Sequence, residues 1–220
     1  MLAPVNLCVE YKKNPLGMDE KIPRFSYELN GDSFYQTAYN IQVFQHTLNG
    51  RELCWDSGMV NSQNTFQIEY CGKPLQRFTR YSWQVRVCDN NNEVSQWSSE
   101  EAFFETGFMD TAWQGKWLGC SWGSSYNPVS RLLRDFNVDK KIRKARLYAT
   151  ALGVYDLWIN GQLVGGEDCL RPGWTDYFER VQYQAYDVTE LICLGNNTLA
   201  ATLGDGWYVC KGYGCKTMIK

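Results

Sequence analysis

The sequence is poor in histidine, and this limits the chemistry that it can perform. Its 220 residues include one histidine, His46. A nucleophilic triad therefore has one place for its base, and zinc sites built on several histidines are disfavoured. His46 lies in a strand-like segment before a turn, so we interpret it as an exposed residue at the end of a strand.

Long basic runs and long apolar runs are also missing. The formal net charge is −2, and no lysine- or arginine-rich segment offers the electrostatic surface that nucleic acids or anionic lipids require. No stretch approaches the roughly 18 apolar residues of a membrane span, and the N-terminus lacks a basic region followed by an apolar one. We expect a cytoplasmic protein with neither a nucleic-acid nor a membrane partner.

Paired cysteine motifs are absent as well. The nine cysteines are irregularly spaced, and no C-x-x-C pair occurs among them. An odd number without a pattern favours free thiols in a reducing compartment over a disulfide framework or a zinc site. We therefore assign no metal site.

Aromatic residues are abundant, with 9 Trp and 14 Tyr. Many stand beside Gly, Asp or Asn in turn-like segments, as they do on surfaces where aromatic rings stack on sugars. The cores of β-sandwiches are also rich in aromatic residues, so both interpretations stay open at this stage.

Alternation of apolar and polar residues dominates the pattern and predicts an all-β fold. In residues 81–87, Tyr81, Trp83, Val85 and Val87 share one face, as in a half-buried strand. Further strands are predicted at 24–29, 39–43, 102–106, 131–138, 145–152, 154–159, 181–186 and 197–203.

Turn residues separate these strands. Turns are predicted at Asn30-Gly31, Asn49-Gly50 and residues 89–92, and Asn160-Gly161 has the composition of a type I′ hairpin turn. Residues 187–192 are predicted to form one helical turn. The pattern restarts after residue 109, which predicts two domains, residues 1–109 and 110–220.

Several linked motifs resemble the N-terminal region of bacterial α-L-rhamnosidases. In the second half the motifs are Gly153–Gly161, Leu170–Tyr177, Arg180–Gln184, Asp187–Leu191 and Leu203–Tyr208. In the first half, Asn14–Gly17, Pro23–Tyr27, Trp55–Gly58, Tyr81–Trp83 and Phe104–Gly107 resemble the fibronectin type III-like domain that precedes it in many members. The resemblance covers nearly the whole chain.

The resemblance implies two tandem β-sandwiches. The first is immunoglobulin- or fibronectin III-like, and the second is jelly-roll-like. Family members continue beyond Gly206-Trp207-Tyr208 with further strands, so the second sandwich is expected to be truncated, with self-association of the isolated chain as a consequence.

The same resemblance implies a parent enzyme of glycoside hydrolase family 78, which removes terminal α-L-rhamnose from glycosides with inversion. Its two catalytic glutamates belong to a C-terminal (α/α)6 barrel that begins after the matched region. Inversion requires two carboxyl groups about 6.5–9.5 Å apart. Asp176, Asp187 and Asp205 are the carboxylates to consider here, and we interpret all three as structural, so the chain alone is expected to be inactive.

A sugar-binding role is predicted for one loop. The candidate residues are Trp174, Asp176 and Tyr177, with Asn160, Asp205 and Trp207, while Arg171 and Tyr208 also lie in these motifs. Trp174 is either an anchor that packs the loop on its own sheet or a platform for a sugar ring. Related modules bind rhamnose through calcium, but no calcium ligand can be placed on this sequence, so no cofactor is assigned.

Three functions are compatible with this pattern. The first is an accessory, substrate-recognition and structural part of a rhamnosidase, in contact with its own barrel and with rhamnose-containing glycosides. The second is a free-standing rhamnose-binding module. The third is a fibronectin-type adhesion protein, which is expected to have a signal peptide and paired cysteines, and neither is seen.

Overall fold

The computed structural model describes residues 2–32, 35–99, 102–119, 129–166 and 168–208. The chain divides into two compact units, residues 1–114 and 115–220. Within the described residues the only helical element is a three-residue 3-10 turn, and no helix is long and apolar enough to cross a membrane. The all-β prediction is confirmed.

The described part of the first unit contains eight strands. They are β1 (Leu2–Val9), β2 (Arg24–Gly31), β3 (Gln36–Thr47), β4 (Gly50–Asp56), β5 (Val60–Asn61), β6 (Ile68–Glu69), β7 (Arg80–Asp89) and β8 (Ala102–Glu105). One sheet has the order β1-β2-β6, and the other has the order β4-β3-β7-β8 with β5 paired to β3. All named pairings are antiparallel.

Alternation of side chains explains how these sheets enclose a core. In β7 the residues Tyr81, Trp83, Val85 and Val87 are all at most 2% exposed, because successive side chains of a strand point to opposite faces. Phe25 of β2 lies at the centre of an aromatic cluster, 4.7 Å from the ring of Trp83 and 6.1 Å from that of Phe104.

Two features of the first unit differ from the sequence prediction. Strands β1, β4, β5 and β6 were not predicted, although the turn at Asn49-Gly50 that joins β3 to β4 was. The predicted turn at Asn30-Gly31 is wrong, since both residues continue β2 and pair with Ala3 and Leu2 of β1. Pairing with a distant strand has overridden the local turn preference.

The described residues of the second unit form six strands. They are β9 (Ser130–Val138), β10 (Arg146–Ala149), β11 (Val154–Ile159), β12 (Gln162–Leu163), β13 (Gln184–Asp187) and β14 (Gly195–Gly204). One sheet has the order β12-β11-β14-β9, and β10 pairs with β13 in a second. Tyr155, Leu157 and Ile159 of β11 pack with Val164, Tyr186 and Val188 in the core.

The turns of the second unit follow the prediction closely. Asn160 and Gly161 have φ values of 51° and 80°, as the type I′ turn between β11 and β12 requires. The predicted helical turn is the 3-10 turn Thr189–Leu191. Predicted strands 145–152 and 181–186 are shorter in the structure, and the tail 211–220 lies outside the described residues.

Candidate functional site

The loop that carries the predicted sugar-binding residues is held at its base by Arg171. This side chain is 3% exposed, and its guanidinium donates to the backbone oxygens of Val164 and Gly165 and to the carboxylate of Asp156. The following peptide bond to Pro172 is cis. A buried cation that bonds to the neighbouring β11 and to the segment after β12 fixes where the loop begins.

Further polar contacts connect the loop base to the core. Gln184 of β13 donates to the Pro172 oxygen at 2.8 Å and accepts the Tyr155 hydroxyl at 2.6 Å. The Tyr155 hydroxyl also lies 3.2 Å from that of Tyr186. Burial raises the pKa of Tyr155, so this buried hydroxyl remains a neutral donor. Burial opposes the charge of Arg171, but its bond to Asp156 and the neighbouring Tyr186 leave its pKa raised overall.

The far side of the loop is closed by a turn. The backbone N–H groups of Glu179 and Arg180 donate to the backbone oxygen of Asp176 at 3.0 and 2.9 Å. The side-chain carboxylate of Asp176 accepts the Phe178 N–H at 3.0 Å. The buried Thr175 hydroxyl donates to the Arg180 oxygen at 2.8 Å. Asp176 is therefore already engaged in shaping the turn, although it is exposed.

Between these two fixed points the loop presents aromatic rings to solvent. Trp174 is 66% exposed and Phe178 is 74% exposed. Trp174 follows Gly173, whose φ of 97° places the backbone in a region that favours glycine. An anchor would bury its ring, so the exposure of Trp174 removes the anchor interpretation, and Arg171 has that role instead.

Tyr177 contacts the segment that follows β14, and this segment also contains the predicted residues Asp205 and Trp207. Tyr177 packs edge-to-face on Tyr208, with ring centroids 5.3 Å apart, and Trp207 is adjacent at 40% exposure. Asp205 is exposed. The backbone of this segment passes very close to Gly153, because a Cβ added to Gly153 would lie 2.4 Å from the Gly204 backbone oxygen. This close backbone crossing explains why Gly153 and the Gly204–Gly206 segment occur together.

Asn160 is not part of this group. It lies at the other end of β11, where Ile159 pairs with Leu199, whereas Val154 pairs with Gly204 near Asp205. The length of the strand separates the two ends by about 17 Å. The Asn160 amide donates to the Leu191 oxygen and to Asn197, and its Oδ1 accepts the Thr198 N–H.

Within the described parts of the chain, no three His, Cys, Asp or Glu side chains come close enough to hold a metal ion. Calcium usually binds six to eight oxygen ligands. One carboxylate oxygen of Asp176 already accepts a hydrogen bond from the Phe178 N–H. We derive no calcium-dependent step for these residues.

His46 differs from its predicted environment. It is half-buried on β3 rather than exposed, and its Nε2 lies 2.9 Å from the Ser82 Oγ on β7. Ser82 is only 8% exposed. A carbonyl substrate cannot reach such a hydroxyl, so we assign no nucleophilic role to this pair.

Sequence reasoning missed the importance of Arg171, whose partner Asp156 lies fifteen residues earlier in the chain. Arg171 was noted only as a further member of the sugar-binding motifs, and its structural role was not predicted. The one available signal was an arginine directly before a proline in a loop otherwise rich in turn residues, and this does not by itself indicate burial.

Two family models match the chain in tandem. Residues 4–110 match the Rha78A-like, N-terminal immunoglobulin domain, and residues 140–217 match the α-L-rhamnosidase N-terminal domain. An α-L-rhamnosidase of Alteromonas sp. (strain LOR) is 37% identical over 209 residues, which is 89% of this chain and 23% of that protein. One from Formosa agariphila is 36% identical over 89% of this chain and 22% of that protein.

Solved structures agree with these matches. The α-L-rhamnosidase from Dictyoglumus thermophilum has a TM-score of 0.81 at 35% identity, over 94% of this chain and 25% of that chain. The Streptomyces avermitilis α-L-rhamnosidase complexed with L-rhamnose has a TM-score of 0.83 at 23% identity, over 95% of this chain and 37% of that one. The chain spans less than a quarter of the length of the two curated relatives described above.

Proposed function

Because this chain belongs to two domain families found at the N-terminus of α-L-rhamnosidases, we propose that it serves such an enzyme as an accessory region. The parent enzyme would remove terminal α-L-rhamnose from glycosides on a separate catalytic barrel. The present domains would support that barrel and take part in recognising the glycoside.

The loop around Trp174 is the observation that carries the recognition role. Its exposed ring stands between two fixed points, the buried Arg171 and the turn stabilised by Thr175. An aromatic ring held in place in this way can stack on the apolar face of a sugar with little loss of conformational entropy. The α-L-rhamnosidase of S. avermitilis, whose fold is similar, was solved with L-rhamnose.

The chain alone is expected to release no p-nitrophenol from p-nitrophenyl α-L-rhamnoside, whereas the full-length protein should do so. Asp176 is engaged in the turn of the loop and Asp156 is paired with the buried Arg171, so both carboxylates already have structural partners. Rhamnose release by residues 1–220 that disappears in Asp176→Asn or Asp205→Asn would contradict this assignment.

The recognition role is tested in the full-length enzyme with Trp174→Ala. We expect KM for a large rhamnosylated glycoside to rise about three- to tenfold, since one stacking contact contributes about 1 kcal/mol, while kcat stays the same. Trp117→Ala is the matched control because Trp117 is 65% exposed and lies outside the loop. Equal KM values for both variants would leave the domains with a purely structural role.

Titration of residues 1–220 with L-rhamnose addresses the alternative of an independent binding module. Saturable quenching of tryptophan fluorescence in the wild type but not in Trp174→Ala would show that the loop binds sugar without a barrel. An unchanged signal at millimolar sugar would tie recognition to the complete enzyme.

We also propose that the protein acts in the cytoplasm. The six cysteines within the described residues are free thiols, which is the state that a reducing compartment maintains. Cell fractionation with an antibody to the chain tests this, and detection in the periplasm or the medium would contradict it.

A further inference from the structure

A concave surface lies in the first unit, remote in sequence from the Trp174 loop. It is a groove of about 450 Å³, and its lining includes the aromatic residues Tyr39 and Trp55 and a second wall formed by Asn64, Gln67, Ile68 and Glu69. We name it the β5–β6 groove. Its volume is within the range of small-molecule sites, about 300–1,000 Å³.

The apolar part of the groove is aromatic and is held in place from behind. Trp55 is half-buried and packs on Phe25 at 5.9 Å and on Tyr70 at 5.4 Å. Tyr39 is also half-buried, and both rings pack against the core cluster of the unit. Because the core fixes these rings, the parts of them that border the groove need no reorganisation to meet a ligand.

The polar wall is equally well fixed. Its loop is tied to both sheets, because Gln36 donates to the Ser62 and Asn64 oxygens at 2.9 and 3.1 Å, and the Tyr27 N–H donates to the Thr65 oxygen at 2.9 Å. The backbone N–H of Gln67 donates to the Ser26 hydroxyl at 3.2 Å. A loop of this kind can present side chains at defined positions.

Several groups that line the groove keep hydrogen-bonding capacity. Within the described residues, no side chain or backbone group bonds to the Glu69 carboxylate, to the Asn64 Nδ2 or to the Tyr39 hydroxyl. Asn64 uses only its Oδ1, which accepts the Phe66 N–H at 3.3 Å. The groove therefore combines aromatic carbon with a carboxylate, an amide donor and a hydroxyl.

The charged residues that line the groove limit which class of ligand it can bind. The described walls contain no lysine, arginine or histidine, so phosphates and other anions find no counter-charge. One carboxylate is too few for a divalent cation. A ring with apolar C–H groups on its face and several hydroxyls at its edge matches both parts of the lining.

We propose that the β5–β6 groove binds one neutral pyranose residue, so that the immunoglobulin-like domain contains a sugar site of its own. The ring stacks on Trp55 and Tyr39, and Glu69 and Asn64 bond to its hydroxyls. This inference is independent of the proposed function, since it uses no residue of the second unit.

The test is a titration of ¹⁵N-labelled residues 1–220 with methyl pyranosides of L-rhamnose, D-glucose and D-galactose, followed by NMR. At least one glycoside should shift the Trp55 indole N–H and the backbone signals of residues 64–69 saturably, with a Kd on the order of millimolar. Glu69→Ala and Asn64→Ala should each weaken binding about tenfold. Tyr39→Phe keeps the ring and removes only its hydroxyl, so it should weaken binding less.

Two controls make the result specific. Glu52→Ala removes an exposed carboxylate of β4 that does not line the groove, and Trp174→Ala removes the platform of the second unit; neither should alter the Trp55 shift. The proposal is overturned if no glycoside in the panel shifts the groove signals, or if the shift persists unchanged in both Glu69→Ala and Asn64→Ala. A response lost only in Trp174→Ala would assign sugar binding to the other loop.

Discussion

Arg171 shows how one buried charge positions an exposed functional loop. Its guanidinium donates hydrogen bonds to two backbone oxygens. It also forms an ion pair with Asp156, whose side chain is 54% exposed. Removing the cation therefore leaves two acceptors with poor access to water, while Asp156 can be hydrated. The loss of stability on replacing Arg171 therefore comes mainly from the two carbonyl groups that lose their hydrogen bonds.

We expect Arg171→Met to lower the free energy of unfolding of the second unit by about 2–4 kcal/mol. Arg180→Met is the control, because Arg180 is exposed and its side chain makes no bond within the described residues. Urea unfolding followed by tryptophan fluorescence measures both. Equal midpoints for the two variants would show that the loop is held by other contacts.

Glu10 gives the first unit a pH-dependent contribution. Its carboxylate accepts the Arg24 guanidinium at 2.6 and 3.0 Å and the Arg24 N–H at 2.8 Å. The side-chain bond from Arg24 lowers the pKa of Glu10 below its ordinary value of 4.5, against the opposing effect of burial. The stabilisation is therefore present above pH 4.5 and is lost as the pH falls through the lower pKa of the folded state.

Glu10→Gln should accordingly cost about 1 kcal/mol at pH 7, since the side chain of Arg24 is 39% exposed and solvent weakens the pair. The difference from wild type should shrink as the pH falls below 4.5. Thermal unfolding at pH 7 and at pH 3 measures this difference. Glu52→Gln, which lacks such a pair, should show no pH-dependent loss, and a constant deficit for Glu10→Gln would contradict the assignment.

At the scale of elements, the β11–β12 hairpin is linked to the start of β14. Asn160 occupies the turn at positive φ and bonds to Asn197, which is 2% exposed and also bonds to the oxygens of Cys193 and Gly195. Two asparagines thus connect a hairpin, the 3-10 turn and a long strand. These contacts explain Asn160 without any sugar.

We expect Asn160→Gly to destabilise the second unit by about 1–2 kcal/mol, because glycine keeps the positive φ and loses only the side-chain bonds. Asn160→Ala should cost about 1 kcal/mol more, since its Cβ also disfavours the left-handed backbone. Chemical unfolding distinguishes the two. If either variant binds rhamnose more weakly while its stability is unchanged, Asn160 takes part in sugar binding after all.

At the scale of the whole molecule, the two units differ in the size of their cores. Among the described residues, the first cluster has sixteen buried members and the second has seven. Leu199, Ala201 and Leu203 of β14 are only partly buried. Burial of apolar surface stabilises by about 25 cal/mol per Å², so the first unit should be the more stable one.

Residues 1–220 should therefore unfold in two steps, with the second unit first. Calorimetry combined with limited proteolysis tests this order, because early cleavage sites should fall after residue 115. A single transition, or cleavage of the first unit first, would contradict the prediction.

Self-association of residues 1–220 is a separate prediction. In the second unit Leu133 is 67% exposed and Leu194 is 69% exposed, in addition to the aromatic loop, and exposed apolar surface favours association. Light scattering after size-exclusion chromatography should show a mass that rises with concentration. Phe178→Asp should lower that mass, and a strictly monomeric wild type would refute the idea.

Features that depend on near neighbours in the chain could be predicted from local sequence. Period-2 alternation was enough to place β7 with its correct inward face and to predict β11 as a strand, because side-chain direction in a strand follows from backbone geometry alone. The Asn160-Gly161 turn followed from the positive φ that these two residues tolerate. The family motifs, each a short local pattern, identified both domains.

Features that depend on pairs of residues far apart in the chain arise only when the sheets pack. β1 became a strand by pairing with β2, and this turned Asn30-Gly31 from an expected turn into strand. Arg171 became the buried base of the loop because Asp156 and two carbonyl oxygens converge on it, which left Trp174 exposed. The β5–β6 groove arises where the edges of two sheets meet. Such pairings are set by the packing of whole sheets, and local composition does not encode them.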